Sequence, residues 1–130
     1  MNIIDHVGLS VADYTRAVRF YESALAPLGI TLVMRVTKEM TGGYEGAGFG
    51  RDGKPAFWVG SGGPTAPRLH AAFVAESRAA VDAFYEAALA AGGRDNGKPG
   101  VRAHYHPSYY GAFVLDPEGH NIEAVCHKPA

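Results

Sequence analysis

The chain has 130 residues, 47% of them hydrophobic and 19% charged, the balance of one globular domain and not of a disordered segment. Twelve basic side chains against thirteen acidic ones leave a net charge of −1; with no block of one sign, the phosphate-neutralising surface of a nucleic-acid binder is not expected. No apolar run is long enough for a membrane span, the start MNIIDHVGLS lacks the pattern of a signal peptide, and a single cysteine, Cys126, excludes an internal disulfide, so a cytoplasmic protein is expected.

Residues 3–11 alternate, with Val7, Leu9 and Val11 on one face and Ile4, His6, Gly8 and Ser10 on the other, which predicts a half-buried strand. Asp13 stands where an N-cap belongs, and Tyr14, Val18, Tyr21, Leu25 and Leu28 follow at helical spacing. Gly29 supplies the stop. Strand-like stretches separated by glycine-rich turns follow at 30–38, 43–50 and 55–60.

The second half repeats the first. An offset of 64 residues places His6 on His70, Phe20-Tyr21-Glu22 on Phe84-Tyr85-Glu86, Gly29 on Gly93, Phe49 on Phe113 and Asp52 on Asp116, without a gap. Leu69, Ala71, Phe73 and Ala75 alternate with His70, Ala72 and Val74; Ser77 is the N-cap, Gly92-Gly93 end the helix, and strands are expected near 93–104, 109–115 and 120–127. The expected fold is α+β: two tandem β-α-β-β-β modules, 1–62 and 67–130, forming a cupped, barrel-like mixed sheet with helices outside. The face away from each helix carries a histidine and small neighbours (Gly8, Ser10, Ala72), as a sheet lining a cavity would.

Glu123 lies inside the apolar strand NIEAV, where a carboxylate is costly unless it is paired or holds a cation. Packing gives no reason to repeat a polar residue at His6 and His70. Two imidazoles and one carboxylate suit a divalent transition metal and leave coordination positions open.

The DHVGLSVAD start, the HAAFVAES start of the second module and FVLDPEGHNIEAV near the end resemble the vicinal oxygen chelate superfamily, which includes glyoxalase I, bleomycin-resistance proteins, extradiol dioxygenases and fosfomycin-resistance enzymes. The resemblance implies His6, His70 and Glu123 as metal ligands, one divalent ion per chain (Zn, Ni, Mn, Fe or Co), and a small-molecule substrate. It also implies a homodimer, with modules paired within a chain or exchanged between two. Many members carry a further carboxylate on the last strand of module one, which in glyoxalase I also transfers protons. The gapless equivalent of Glu123 is Val59, and 55–62 contains no Asp or Glu. The His-His-Glu set instead resembles extradiol dioxygenases and fosfomycin thiol transferases.

The segment VRAHYHPSYYGAFV falls outside the general pattern. If extended, it puts His104 and His106 on one face, with Tyr105, Tyr109 and Tyr110 nearby. His106, Tyr110 and His104 are the expected acid–base residues of a substrate-facing wall; the alternative is a surface loop. Cys126 is expected to pack on the helix side. Arg35, Lys38, Arg51, Lys54 and Arg102 fall in or beside turns, as solvated charges do. The expected function is a metal-dependent enzyme acting on vicinal oxygens, of lyase or isomerase type. An extradiol-type ring-cleaving dioxygenase and a bleomycin-resistance-like sequestering protein are the alternatives.

Overall fold

The computed structural model describes residues 3–130. Module one runs β1 (Val7–Val11), α1 (Tyr14–Leu25), a 3-10 turn (Ala26–Leu28), β2 (Thr31–Val36), a four-residue helix α2 (Lys38–Thr41), β3 (Gly46–Arg51) and β4 (Lys54–Ser61). Module two runs β5 (His70–Val74), α3 (Arg78–Ala90), β6 (Arg94–Val101), β7 (Tyr110–Leu115) and β8 (Asn121–Cys126). The strands form two four-stranded mixed sheets in the same order, β1-β4-β3-β2 and β5-β8-β7-β6, each with its first strand parallel to its last. The α+β two-module architecture is thus the one the repeat implies. Its strands hydrogen-bond into two separate sheets.

Local chemistry accounts for the helix limits. The Asp13 side chain accepts from the Arg16 amide and the Ser77 hydroxyl from the Ala80 amide, satisfying amides that the first turn leaves without partners. Gly29 ends the first helical segment in the left-handed conformation (φ 74°), where glycine pays no side-chain penalty. Its repeat partner Gly93 serves another purpose: a Cβ there would lie 2.8 Å from the Phe20 ring.

Helix α1 packs against α3, and each sheet turns one face to this helical layer. Phe20, Tyr21, Leu25, Phe49, Val59, Phe84, Val114 and Ile122 are buried there. Cys126 is buried on the same side, as expected. Each sheet leaves its other face open.

The turn Asp116–Gly119 ties the modules together. Asp116 Oδ1 accepts from the Glu118 and His120 amides, and Oδ2 accepts the Tyr21 hydroxyl of α1 at 2.6 Å. Glu118 accepts from the Ala12 and Asp13 amides at the entry to α1. Arg51, expected in solvent, donates to the carbonyls of Leu28 and Val74 and so also bridges the modules.

Two expectations need correction. The 64-residue offset does not hold through the last strands. Gly8 pairs with Trp58 while Ala72 pairs with Glu123, so the partner of Glu123 in module one is Trp58, one residue before Val59. Val59 points into the core and is fully buried. The segment after β6 is also not extended. The Arg102 carbonyl accepts from the Tyr105 and His106 amides, and the His106 carbonyl from Tyr109, giving two successive turns. His104 and His106 therefore do not share a strand face; the His104 ring lies tilted against Tyr105 and His106 lies against His127.

Candidate functional site

Each open sheet face carries one cleft. The module-two cleft is about 450 Å³ and is lined by His70, Tyr105, Tyr109, Phe113, Asn121 and Glu123. Alternation along β7 and β8 sends Phe113 and Glu123 to this face, and Ala112, Val114, Ile122 and Ala124 to the helices. Gly111 lies between: a Cβ there would meet the Tyr109 ring at 3.2 Å and Glu123 Oε2 at 3.3 Å. The missing side chain gives those two groups their space.

Glu123 is 2% exposed, and each of its oxygens faces one neighbour. Oε2 accepts the Tyr109 hydroxyl, and Oε1 lies 3.2 Å from His70 Nε2. Burial and then the carboxylate hold the Tyr109 phenol far above its ordinary range, so it stays a donor. His70 Nδ1 sits 3.0 Å from the Asn121 carbonyl, which can only accept. That bond puts the ring proton on Nδ1 and leaves Nε2 a lone pair facing Glu123. Two acceptors at this distance need a proton or a metal ion between them. The backbone bond to Nδ1 is also how metal-binding histidines are usually oriented.

The module-one cleft is about 460 Å³ and is lined by Asp5, His6, Val36, Tyr44, Lys54, Pro55 and Trp58. Asp5 Oδ1 lies 2.6 Å from His6 Nδ1 and 2.9 Å from Lys54 Nζ. The His6 hydrogen bond and then the Lys54 ammonium hold the Asp5 carboxyl below its usual range. His6 is exposed, immediately before β1.

The expected ligands therefore divide between two clefts. His70 and Glu123 meet; His6 stands in the other cleft. Among the described residues of one chain, no three His, Cys, Asp or Glu side chains come together as a metal-sized cluster. Of the expected acid–base residues, Tyr110 turns to the helix side and donates to Asp82 Oδ1 at 2.6 Å, with Arg78 over its ring. His104 and His106 are exposed in the turns, and neither lines the cleft. Tyr109 and Tyr105 line it instead. The sequence offers Tyr109 only as a nearby phenol, yet the period-two set Tyr109, Gly111, Phe113 marks the open face.

The family model described as the Glyoxalase/Bleomycin resistance protein/Dioxygenase superfamily matches residues 3–124. The chain belongs to this superfamily. Among solved structures, a glyoxalase/bleomycin resistance protein from Albidiferax ferrireducens T118 is similar at 27% identity and TM-score 0.73, covering 98% of this chain and 100% of that one. A glyoxylase/bleomycin resistance protein/dioxygenase domain from Frankia sp. EAN1pec has the same fold at 18% identity and TM-score 0.72, covering 98% and 99%. An E144Q glyoxalase I mutant from Zea mays shares the fold at 22% identity and TM-score 0.68, covering 94% of this chain and 46% of that chain. No curated protein matches this sequence. Within the superfamily fold, the face opposite the helices is the one that carries both clefts. Among the described residues, no helix is long and apolar enough to cross a membrane.

Proposed function

We propose that this superfamily member is a metal-dependent enzyme acting on a small molecule with vicinal oxygens, of lyase or isomerase type. The carrying observation is the pair of facing acceptors, His70 Nε2 and Glu123 Oε1 at 3.2 Å, with His70 Nδ1 held by a carbonyl. This donor set fits one divalent ion. His6 of a second copy would be the third protein ligand if the module-one cleft of that copy faced this cleft, and the working unit would then be a homodimer. A bound ion would supply a Lewis acid that stabilises negative charge developing on a substrate oxygen.

The protein's own residues do the rest. Glu123 and His70 hold the position, and Tyr109 keeps Glu123 Oε2 occupied, leaving Oε1 as the free donor. Tyr105 and Phe113 wall the cleft, with Arg102 over the Phe113 ring at 5.4 Å. Tyr109, not Tyr110 or the two turn histidines, is the phenol beside the reacting oxygens; its one proton goes to Glu123 Oε2, so toward a substrate it offers only an acceptor.

Metal content under three pairings tests this. His6→Ala and Glu123→Gln homodimers should each lose the ion. Subunits of the two variants, mixed and reassembled, should regain one ion per heterodimer, because one composite site is then intact. Full metal content in both homodimers would overturn the reading. Loss in both without recovery on mixing would place all ligands in one chain.

A further inference from the structure

The module-one cleft lies on the face equivalent to that of the module-two cleft, with different chemistry. At the register position of Glu123 stands Trp58, the one tryptophan of the chain. A backbone without side chains makes room for it. A Cβ at Gly48 would lie 3.0 Å from two atoms of the indole and 2.8 Å from Pro55 Cβ. A Cβ at Gly46 would meet both the Tyr44 ring, at 3.2 Å, and the indole, at 3.6 Å; one at Gly60 would run into the Tyr44 hydroxyl. Trp58 and Tyr44 thus rest directly on the sheet and give the cleft an aromatic lining, with Val36 and Pro55 beside them.

One edge of the lining is charged. The Lys54 ammonium and the His6 imidazole share a single carboxylate oxygen, Asp5 Oδ1. The Lys54 ammonium also donates to the Asp5 and Pro55 carbonyls, so the charge of this exposed group, not a free N–H, is what favours an anionic oxygen there.

We infer that this cleft is a stacking site for a flat conjugated acid, its ring on Trp58 and Tyr44 and its acidic oxygen at the Lys54–His6 edge. An aromatic face selects planar π-systems over saturated rings of equal size, and the basic edge selects anions over cations. The inference names a substrate class for the proposed enzyme and rests on that reading for its link to catalysis. The binding itself uses neither Glu123 nor a metal ion; His6 is the one residue that both readings share.

Trp58 reports on the site directly, since a single tryptophan gives a single indole N–H signal in a proton–nitrogen correlation spectrum. The experiment follows that signal in chelator-treated wild type and in Glu123→Gln, titrated with 4-hydroxybenzoate, cyclohexanecarboxylate or benzyltrimethylammonium. The expected result is saturable movement with 4-hydroxybenzoate in both proteins, with affinity about 2- to 10-fold above that for the saturated acid. Gly48→Ala, which lifts the indole from its floor, and Lys54→Ala, which removes the edge cation, should each weaken that binding. Equal affinity for the two acids would remove the stacking role, and equal or tighter binding of the ammonium would remove the anion preference; either overturns the inference. So would movement on dilution alone with no response to any probe, since a second copy would then fill the cleft. Loss of metal binding with the probe response intact would sink the metal reading and leave this one standing.

Discussion

Trp58 and Glu123 occupy the same register position in the two modules, each opposite the second residue of the three that follow its module's histidine: Gly8 pairs with Trp58 and Ala72 with Glu123. A carboxylate and an indole therefore stand at related places on two otherwise parallel faces. The single-residue slip against the 64-residue repeat decides which module-one side chain faces the cleft. Val59 is fully buried on the opposite face.

That assignment predicts opposite fates for two similar substitutions. Trp58→Glu puts a carboxylate on an open face at a half-buried position and should fold. Val59→Glu puts one in the core with no partner, a cost of several kcal/mol, and should leave little folded protein. Urea unfolding of both variants checks the register; equal destabilisation would contradict it.

The same exchange bears on glyoxalase I chemistry. The module-one carboxylate that transfers protons in that enzyme has no counterpart at Trp58 or Val59. Turnover of the hemithioacetal of methylglyoxal and glutathione is expected to stay below about 10 per second with any added divalent metal. A kinetic assay across the metals named above tests this, and fast turnover would show that another residue supplies the base.

Tyr109 and Tyr110 are neighbours with different tasks. Tyr109→Phe leaves Glu123 Oε2 buried without a donor, a loss of about 1–3 kcal/mol. It should also weaken metal binding by about 10-fold or more, as loss of a ligand's hydrogen-bond partner does. Tyr110→Phe removes a bond to the exposed Asp82 on α3 and should cost less than about 1 kcal/mol with metal affinity unchanged. Calorimetric metal titrations beside thermal melts separate the two.

Much of this arrangement was legible in the sequence. Alternation, the caps at Asp13 and Ser77 and the tandem repeat gave both modules, because each rests on local chemistry or on a pattern written twice. His70 and Glu123 came out together because a strand carboxylate amid apolar residues needs a partner. Three features were hidden. The slip at Trp58 arises in strand pairing, which a gapless offset cannot register. The turns at 102–109 override the extended shape that Pro107 suggests, through hydrogen bonds to the Arg102 carbonyl. His6 and His70 are related by the repeat, yet within one chain repeat symmetry places them on equivalent faces of different sheets, not on one centre.

The Tyr21–Asp116 bond should set the alkaline limit of stability. It joins α1 of module one to the β7–β8 turn of module two at 2.6 Å, with both groups buried. Burial, and then the adjacent carboxylate, hold the Tyr21 hydroxyl well above the ordinary phenol value of about 10. A folded-state pKa above the unfolded one means the folded chain retains this proton more tightly. The stabilisation is thus fully present below the unfolded value and is lost as pH rises from there through the folded value. Tyr21→Phe leaves Asp116 Oδ2 without its donor and should cost about 1–3 kcal/mol at neutral pH. Between pH 7 and 9 the gap between wild type and variant should stay constant. Above about pH 10 it should narrow, because only the wild type must bury or ionise the phenol. Denaturant unfolding of both proteins across this range provides the measurement, and a gap that stays constant or widens at high pH would refute the assignment.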